Sequence, residues 1–202
     1  MTKAIVLKFD LKNLPDSGVF ICSGRKFFFQ GRSRIGRELV RSVCQRHGEE
    51  IAQVILVGDS AIKKAGILGT HSKTEIVLVS AEAQKVLDNL LDKQSKTTSP
   101  KKVVVFLNHV VCNEGSICQN LFARAKNLNI IVVATTEKPS SLTREQQMYV
   151  DCLFVQDDHK MEELWNAYFR GWYNFKQFGE IFFGCTRNRF EYVMFNKSEP
   201  DV

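Results

Sequence analysis

Short apolar runs rich in valine and isoleucine alternate along this chain with longer segments of helical periodicity. Apolar runs of this kind, with few polar interruptions, are typical of strands buried on both faces of a parallel sheet. Parallel neighbours need crossover connections, which are usually helices and almost always right-handed. The alternation therefore predicts an α/β domain with a mainly parallel sheet flanked by helices.

The predicted elements follow this alternation from one end of the chain to the other. Strands are predicted at 4–9, 19–22, 54–57, 75–79, 103–107, 130–134, 152–155 and 192–195, and helices at 35–47, 81–93, 116–126 and 159–175. The polar stretch 94–102 contains Pro100 and is interpreted as a surface loop. It leads directly into an apolar run, so we expect residues 1–202 to form a single domain.

Composition excludes several classes of protein. Of the 202 residues, 44% are hydrophobic and 25% charged, as in ordinary globular proteins. No apolar run approaches the ~20 residues of a membrane helix, and a lysine follows too soon for a signal peptide. We therefore expect a soluble intracellular protein with no membrane contact. The six cysteines are scattered, without the close pair that a zinc site requires, so we expect reduced thiols and no metal.

Aromatic residues are concentrated near the carboxyl end of the sequence. Nine of them lie between Trp165 and Phe183, before the last predicted strand. Their spacing favours an aromatic-rich helix that contributes to the core. A stacking surface for nucleic acid is the alternative interpretation.

Basic residues are concentrated between Arg25 and Arg46, where seven lysines and arginines accompany one acid, Glu38. Arg34, Arg37 and Arg41 have i, i+3 and i+7 spacing, which places them on one face of a helix. This face is either an ordinary solvated surface or an anion-binding surface, and it is a candidate for DNA binding.

The segment 19–33 has the strand, turn and helix order of a phosphate-binding loop. Gly31, Arg32 and Ser33 stand where G-x-x-x-x-G-K-[ST] has its Gly-Lys-Ser. The first glycine of that motif is replaced by Lys26, and bulky phenylalanines at 27–29 follow it. The planar guanidinium of Arg32 does not reproduce the point charge of a lysine, so any phosphate site here is vestigial.

A second candidate site follows the apolar run 103–107, which ends in Asn108 and His109. P-loop ATPases hold magnesium with an acid at the end of this strand. Asn108 offers only an amide oxygen, a weak ligand for a hard cation. His109 is a base in principle, although a single histidine at a strand end is usually satisfied locally.

In order and pattern, most of the chain resembles the viral genome-packaging ATPases of the FtsK–HerA superfamily, the type found in poxviruses and other large DNA viruses. The resemblance is carried by the opening segment 9–21, by 120–139 with its Leu128-Asn129-Ile130, by Asp151 with the run 152–155, and by the closing segment 186–195. It implies a P-loop NTPase-like fold and descent from a packaging ATPase.

The residues that the family uses on ATP are replaced in this chain. Thr136 stands where the family has a sensor glutamine, and Gln147 stands where it has an arginine, although Arg144 is close. With Asn108 and His109 at the acidic positions, none of the motifs is intact. The hypothesis is therefore a degenerate family member that binds DNA or an assembly partner, possesses no bound cofactor and does not hydrolyse ATP.

Two alternatives stay open on the sequence alone. One is a working packaging ATPase that binds ATP and Mg²⁺ through Arg32, Ser33 and Asn108. The other is a viral host-interaction protein that kept only the fold. In the host-interaction alternative the chain has lost both nucleotide and DNA binding. The partners expected from the sequence are otherwise DNA at the basic face, a second protein or a further copy of the chain, in the host cytoplasm, the nucleus or the virion.

Overall fold

A computed structural model describes residues 14–24, 31–58, 74–78, 81–108, 115–136, 138–156, 161–185 and 193–196. The strands of this part are β1 (Gly18–Gly24), β2 (Ile51–Gly58), β3 (Thr74–Leu78), β4 (Lys102–Asn108), β5 (Ile130–Thr136), β6 (Val150–Gln156) and β7 (Val193–Asn196). The helices are α1 (Gly31–His47), α2 (Ala81–Ser95), α3 (Gly115–Ala125), α4 (Arg144–Met148), α5 (Met161–Leu164) and α6 (Phe175–Cys185). Short 3₁₀ turns lie at Gly48–Glu50, Lys126–Leu128 and Pro139–Ser141.

The seven strands form one sheet in the order β3-β2-β4-β5-β1-β6-β7. All neighbours are parallel except β7, which runs antiparallel to β6. The prediction of a mainly parallel sheet between helices is therefore confirmed. The predicted strand 4–9 lies outside the described residues.

The helices divide between the two faces of the sheet according to the direction of their crossovers. The connection from β1 to β2 runs toward the β3 edge, and α1 packs on β1, β4 and β5 on one face. The connections that contain α2, α3 and α4 run in the other direction along the sheet. Because crossovers are right-handed, opposite directions place the helices on opposite faces.

Each face has its own hydrophobic core. Under α1, Leu39, Val40 and Val43 pack with Phe20 and Phe106 of the sheet. The other core is larger, and its side chains come from α2, α3, α5, α6 and the opposite face of the same strands. Alternate residues of a strand contribute to alternate cores, which is why these strands have no polar face.

The predicted loop 94–102 is shorter in the structure, because α2 continues to Ser95 and β4 begins at Lys102. The side-chain amide of Gln94 donates hydrogen bonds to the carbonyl oxygens of Lys101 (2.7 Å) and Leu128 (3.2 Å). These bonds join the end of α2 to the start of β4 and to the turn before β5, and so bring the loop close against the domain.

The prediction of a single helix at 159–175 is wrong. A π-helical turn at Trp165–Phe169 follows α5, and a separate helix α6 begins at Phe175. Asn174 Oδ1 accepts a hydrogen bond from the backbone of Gln177 (2.9 Å), and Gln177 Oε1 accepts one from the backbone of Asn174 (3.2 Å). This reciprocal capping starts a new helix after the turn.

Most aromatic residues of this region contribute to the core, as predicted, whereas Trp172, Phe175 and Phe183 are exposed. The ring centroid of Phe169 lies 4.8 Å from that of Phe178 and 4.1 Å from that of Phe195 in β7. These three side chains join the π-helical turn, α6 and the last strand to the larger core.

None of the described helices has the length and apolarity needed to cross a membrane. Four of the cysteines, Cys22, Cys44, Cys118 and Cys152, are buried free thiols. Burial, together with the neighbouring Cys152, raises the pKa of the Cys22 thiol well above its usual range. A thiol in this state is a poor nucleophile.

Candidate functional site

The topology points to one edge of the sheet as the place for a ligand. The chain leaves the carboxyl end of β1 for the face covered by α1, whereas it leaves the neighbouring β5 for the opposite face. Parallel sheets bind their ligands in the crevice that forms at such a switch point, outside the carboxyl ends of the strands. The candidate site therefore lies beyond the ends of β1, β4 and β5.

Helix α1 begins at this edge with the residues proposed as a vestigial phosphate loop. Its first turn consists of Gly31, Arg32 and Ser33, followed by Arg34. The first three of these residues occupy the place of the Gly-Lys-Ser of a phosphate loop. The first backbone N–H groups of a helix have no partner within it, and the helix dipole adds partial positive charge there. No acidic residue occupies this first turn.

Helix α1 packs unusually closely on the sheet near this end. At Gly36 an added Cβ would lie 2.7 Å from Phe106 Cε2 and 2.8 Å from Thr135 Cγ2. A side chain larger than hydrogen would displace α1 from β4 and β5. The glycine thus brings the first turns of the helix down onto the ends of both strands.

Asn108 ends β4 in a buried hydrogen bond to the neighbouring strand. It pairs in register with Thr135 of β5, and Thr135 Oγ1 donates to Asn108 Oδ1 at 3.1 Å. Asn108 is 9% exposed and Thr135 is fully buried. The amide oxygen that would have to replace a carboxylate is therefore engaged within the protein.

Thr136 lies one residue further along β5, next to Ser23 of β1. Its side chain projects to the face opposite that of Thr135, because strand residues alternate. Thr136 Oγ1 accepts a hydrogen bond from the backbone N–H of Lys138 at 3.2 Å. The structure therefore places Thr135, which sequence reasoning missed, beside Asn108. The pairing of Thr135 with Asn108 depends on the register between β4 and β5, which the sequence does not give. The alternation of faces along β5 does indicate that Thr135 and Thr136 project to opposite sides of the sheet.

The described strand ends at this edge provide hydroxyl and amide groups, from Ser23, Asn108, Thr135 and Thr136. Magnesium prefers carboxylates together with substrate phosphates. These groups do not fit a magnesium site, and among the described residues no three His, Cys, Asp or Glu side chains are grouped to hold a metal. His109 lies outside the described residues.

Gln147 is not part of this edge. It lies in α4, just before β6 begins, and so toward the amino-terminal ends of the parallel strands. Its side-chain amide donates to the carbonyl oxygen of Leu142 at 2.7 Å, within the turn that Thr143 and Gln146 cap. The structure therefore does not bring Gln147 and Asn108 of one chain together. Arg144 is exposed in the first turn of the same helix.

Asp151, one of the residues that carry the family resemblance, links the amino-terminal ends of β6 and β1. Its Oδ2 accepts a hydrogen bond from the backbone N–H of Val19 at 2.9 Å, and its Oδ1 lies 3.7 Å from Lys126 Nζ. An added Cβ at Gly18 would collide with this carboxylate, and the φ of Gly18 is +136°. Asp151 thus has a visible structural role at the edge opposite the candidate site.

The predicted basic face is partly neutralised. Arg41 NH1 lies 2.7 Å from the carboxylate of Glu38, one turn earlier on α1. Arg37 and Arg41 are both half-buried. The face is therefore a mixed surface in which one acid competes with an external anion for Arg41.

No protein-family profile and no curated protein sequence matches the chain. Solved structures do. The genome packaging NTPase B204 of Sulfolobus turreted icosahedral virus 2, in complex with AMP, aligns with a TM-score of 0.62 and 9% identity over 91% of this chain and 94% of its own. EssC (ATPases 2 and 3) from Geobacillus thermodenitrificans aligns with a TM-score of 0.61 and 13% identity over 79% of this chain.

The pCW3 conjugation coupling protein TcpA, solved with ATPγS, aligns with a TM-score of 0.55 and 12% identity over 74% of this chain. The chain spans 35% of the EssC chain and 51% of the TcpA chain. These similarities show that the chain shares its fold with the B204 packaging NTPase and with EssC and TcpA, which confirms the fold expected from the sequence resemblance.

Proposed function

We propose that this chain is a catalytically degenerate relative of the packaging ATPases, which serves as a DNA-binding or assembly partner and does not hydrolyse ATP. The observation that carries the proposal is the buried hydrogen bond between Thr135 Oγ1 and Asn108 Oδ1 at the end of β4. In P-loop ATPases the acid at this position organises magnesium around the phosphates. Here the corresponding oxygen belongs to a neutral amide and is bound by a neighbouring strand.

The other replaced positions support the same proposal. Arg32 stands for the phosphate-loop lysine, Thr136 for a sensor and Gln147 for an arginine, and the side chains of the last two make hydrogen bonds within their own turns. Hydrolysis needs several groups to stabilise charge in the transition state together. We infer that the combined loss removes hydrolysis while the scaffold is kept.

Relatives in structure suggest the class of partner. B204 is described as a genome packaging NTPase and TcpA as a conjugation coupling protein. We propose DNA as the first candidate partner, through Arg34, Arg37 and Arg41, and a second protein or a further copy of the chain as the other. The proposed places of action are the host cytoplasm, the host nucleus or the virion.

Thermal unfolding with and without nucleotide tests the loss of catalysis. A ligand bound only by the folded state raises stability by RT ln(1 + [L]/Kd). We expect no magnesium-dependent shift of the melting temperature with ATP, and no phosphate release above that of a buffer blank. B204, prepared in the same way, provides the positive control for both measurements.

A magnesium-dependent shift would contradict the proposal if it were accompanied by phosphate release that Asn108→Ala abolishes. Such a result would establish an active ATPase with an unusual site. A shift with ATP that is indifferent to magnesium and brings no turnover would leave the proposal standing and would assign residual phosphate binding to the start of α1.

A further inference from the structure

A buried charged cluster lies at the amino-terminal edge of the sheet, opposite the candidate site. His47 ends α1 and Lys102 begins β4, and both side chains are only 7% exposed. Lys102 Nζ lies 3.0 Å from His47 Nδ1. Fully buried lysines are rare in proteins unless they are paired, so this contact is an unusual feature.

The contact with Lys102 is the basis for assigning the protonation of His47. A charged ammonium group can only donate, so with that charge on Lys102 the Nδ1 of His47 accepts the hydrogen bond, and we assign the imidazole as neutral with its proton on Nε2. Nε2 lies 3.9 Å from Asp16 Oδ1, while Glu50 Oε2 lies 3.4 Å from both His47 Nδ1 and Lys102 Nζ. Glu50 and Asp16 are 68% and 72% exposed, so water screens both carboxylates.

The cluster joins four segments of the chain. His47 closes α1, Glu50 lies in the 3₁₀ turn before β2, Lys102 begins β4, and Asp16 lies in the segment before β1. Arg46 adds two further bonds to that segment, from NH1 to the carbonyl oxygen of Leu14 (2.9 Å) and from NH2 to Asp16 Oδ1 (3.2 Å).

Leu14 is the apolar end of this segment. Its side chain is 5% exposed and packs in the core beneath α1. Residues 14–17 are therefore held to the domain by one buried side chain, by bonds to the last residues of α1, and by a hydrogen bond from Ser17 Oγ to the carbonyl oxygen of Lys126 (3.4 Å). Whatever loosens the end of α1 also loosens the start of β1.

Electrostatics around His47 make this contact sensitive to acid. Burial, followed by the nearby Lys102 and then by Arg46, lowers the pKa of His47, while Glu50 and Asp16 oppose the shift. In the unfolded chain His47 takes up its proton near pH 6.5, and in the folded protein it does so at a lower pH. The unfolded state therefore binds more protons in this range, and the stabilisation is lost as the pH falls from 6.5 toward the folded pKa.

We propose that His47 and Lys102 form an acid-sensitive latch that holds residues 14–17 and the carboxyl end of α1 against the sheet. When His47 is protonated, Lys102 loses its buried Nδ1 acceptor and keeps only the exposed carboxylate of Glu50, and two cations lie 3.0 Å apart in a buried place. The local response is release of the four joined segments at this edge, while the core between the sheet and α6 stays closed.

Amide hydrogen exchange of the whole chain between pH 7.5 and 5.5 tests the latch, with rates corrected for their intrinsic pH dependence. We expect protection of residues 14–19 and 44–51 to fall by up to about tenfold between pH 6.5 and 5.5, because the opened state takes up the His47 proton before the closed state does. Protection of α6 should stay constant. In His47→Gln, whose side-chain carbonyl can still accept from Lys102 but cannot titrate, the fall should be absent.

An equal loss of protection in the wild-type protein and in His47→Gln would overturn the proposal, and so would a loss spread evenly over the chain. If His47→Gln does not fold, NMR titration of His47 in the wild-type protein and in Lys102→Met decides the question. We expect a midpoint below 6.5 that rises when the lysine charge is removed. A wild-type midpoint at or above 6.5, or one unchanged in Lys102→Met, would rule out the latch.

Discussion

Asn108 is the residue on which the functional proposal depends. From the sequence, it could be predicted that this asparagine ends a buried strand at the edge where the fold places its ligands. Its bond to Thr135 could not be predicted, because it depends on the register between β4 and β5, which tertiary packing sets. Alignment to a family motif favoured Thr136, whose side chain projects to the other face of the sheet.

Replacing Thr135 by valine tests this bond. Valine keeps the shape of the side chain, including the methyl group near Gly36, but removes the hydroxyl that donates to Asn108 Oδ1. Leaving a buried acceptor without this donor should lower the free energy of unfolding by about 1–3 kcal/mol, measured in urea. Thr97→Val is the control, because its hydroxyl bonds to the Lys93 carbonyl at an exposed place and its loss should cost little. Equal costs would show that the buried bond contributes nothing special.

At the scale of secondary-structure elements, the hydrophobic pattern predicts that helix α1 exists but misses its first turn. Periodicity predicted a helix at 35–47, whereas α1 begins at Gly31. The first turn was missed because it contains no apolar residue that would extend the hydrophobic pattern.

The capping residues of two short helices were also missed. Thr143 with Gln146 and Asn174 with Gln177 are reciprocal caps that start α4 and α6, and both pairs have the three-residue spacing of capping boxes. The second pair marks the start of a new helix at Phe175, where the predicted helix 159–175 ends.

Gly36 in α1 and Gly179 in α6 provide a pair of helix glycines for testing the close packing of α1. Alanine favours helix over glycine by about 1 kcal/mol, so substitution at an open position stabilises. At Gly179 the new Cβ would meet only Met161 Cε at 3.6 Å, and we expect Gly179→Ala to be stabilising. At Gly36 the close contacts with Phe106 and Thr135 should reverse the sign, with a net loss of about 1–3 kcal/mol from overpacking. Urea denaturation of both variants measures this difference, and two stabilising substitutions would refute it.

At the scale of the whole molecule, the sheet and the aromatic region near its carboxyl end share one core. Phe169, Phe178 and Phe195 pack in the same cluster as the side chains of α2, α3 and the central strands. We therefore propose that residues 1–202 form a single domain. The unbroken alternation of elements in the sequence leads to the same prediction, whereas the order of the strands in the sheet depends on long-range pairing.

The proposed binding of DNA is tested at the scale of the whole molecule. Binding through phosphates makes log K fall with log[salt] by about 0.9 for each neutralised phosphate. Changing Arg34, Arg37 and Arg41 to glutamine should weaken binding to duplex DNA and flatten that slope. Glu38→Gln should strengthen binding, because it frees Arg41 from its ion pair at 2.7 Å. Arg124→Gln, at an exposed residue of α3 on the other face of the sheet, is the control and should change little. A slope that all variants share would exclude the α1 face as the DNA site.

The position of β1 between β5 and β6 has a consequence for how the molecule comes together. The first described strand, β1, pairs with β5, which begins at Ile130, and with β6, which begins at Val150. Both pairings therefore join residues that are more than a hundred positions apart in the sequence. During synthesis, β2, β3 and β4 can pair early. Phe20 and its neighbours on β1 stay unpaired until β5 and β6 have been synthesised. Contacts so distant in sequence slow folding and leave apolar surface exposed meanwhile. The strand that leads into the candidate site, β1, is thus among the last that a nascent chain can incorporate into the sheet.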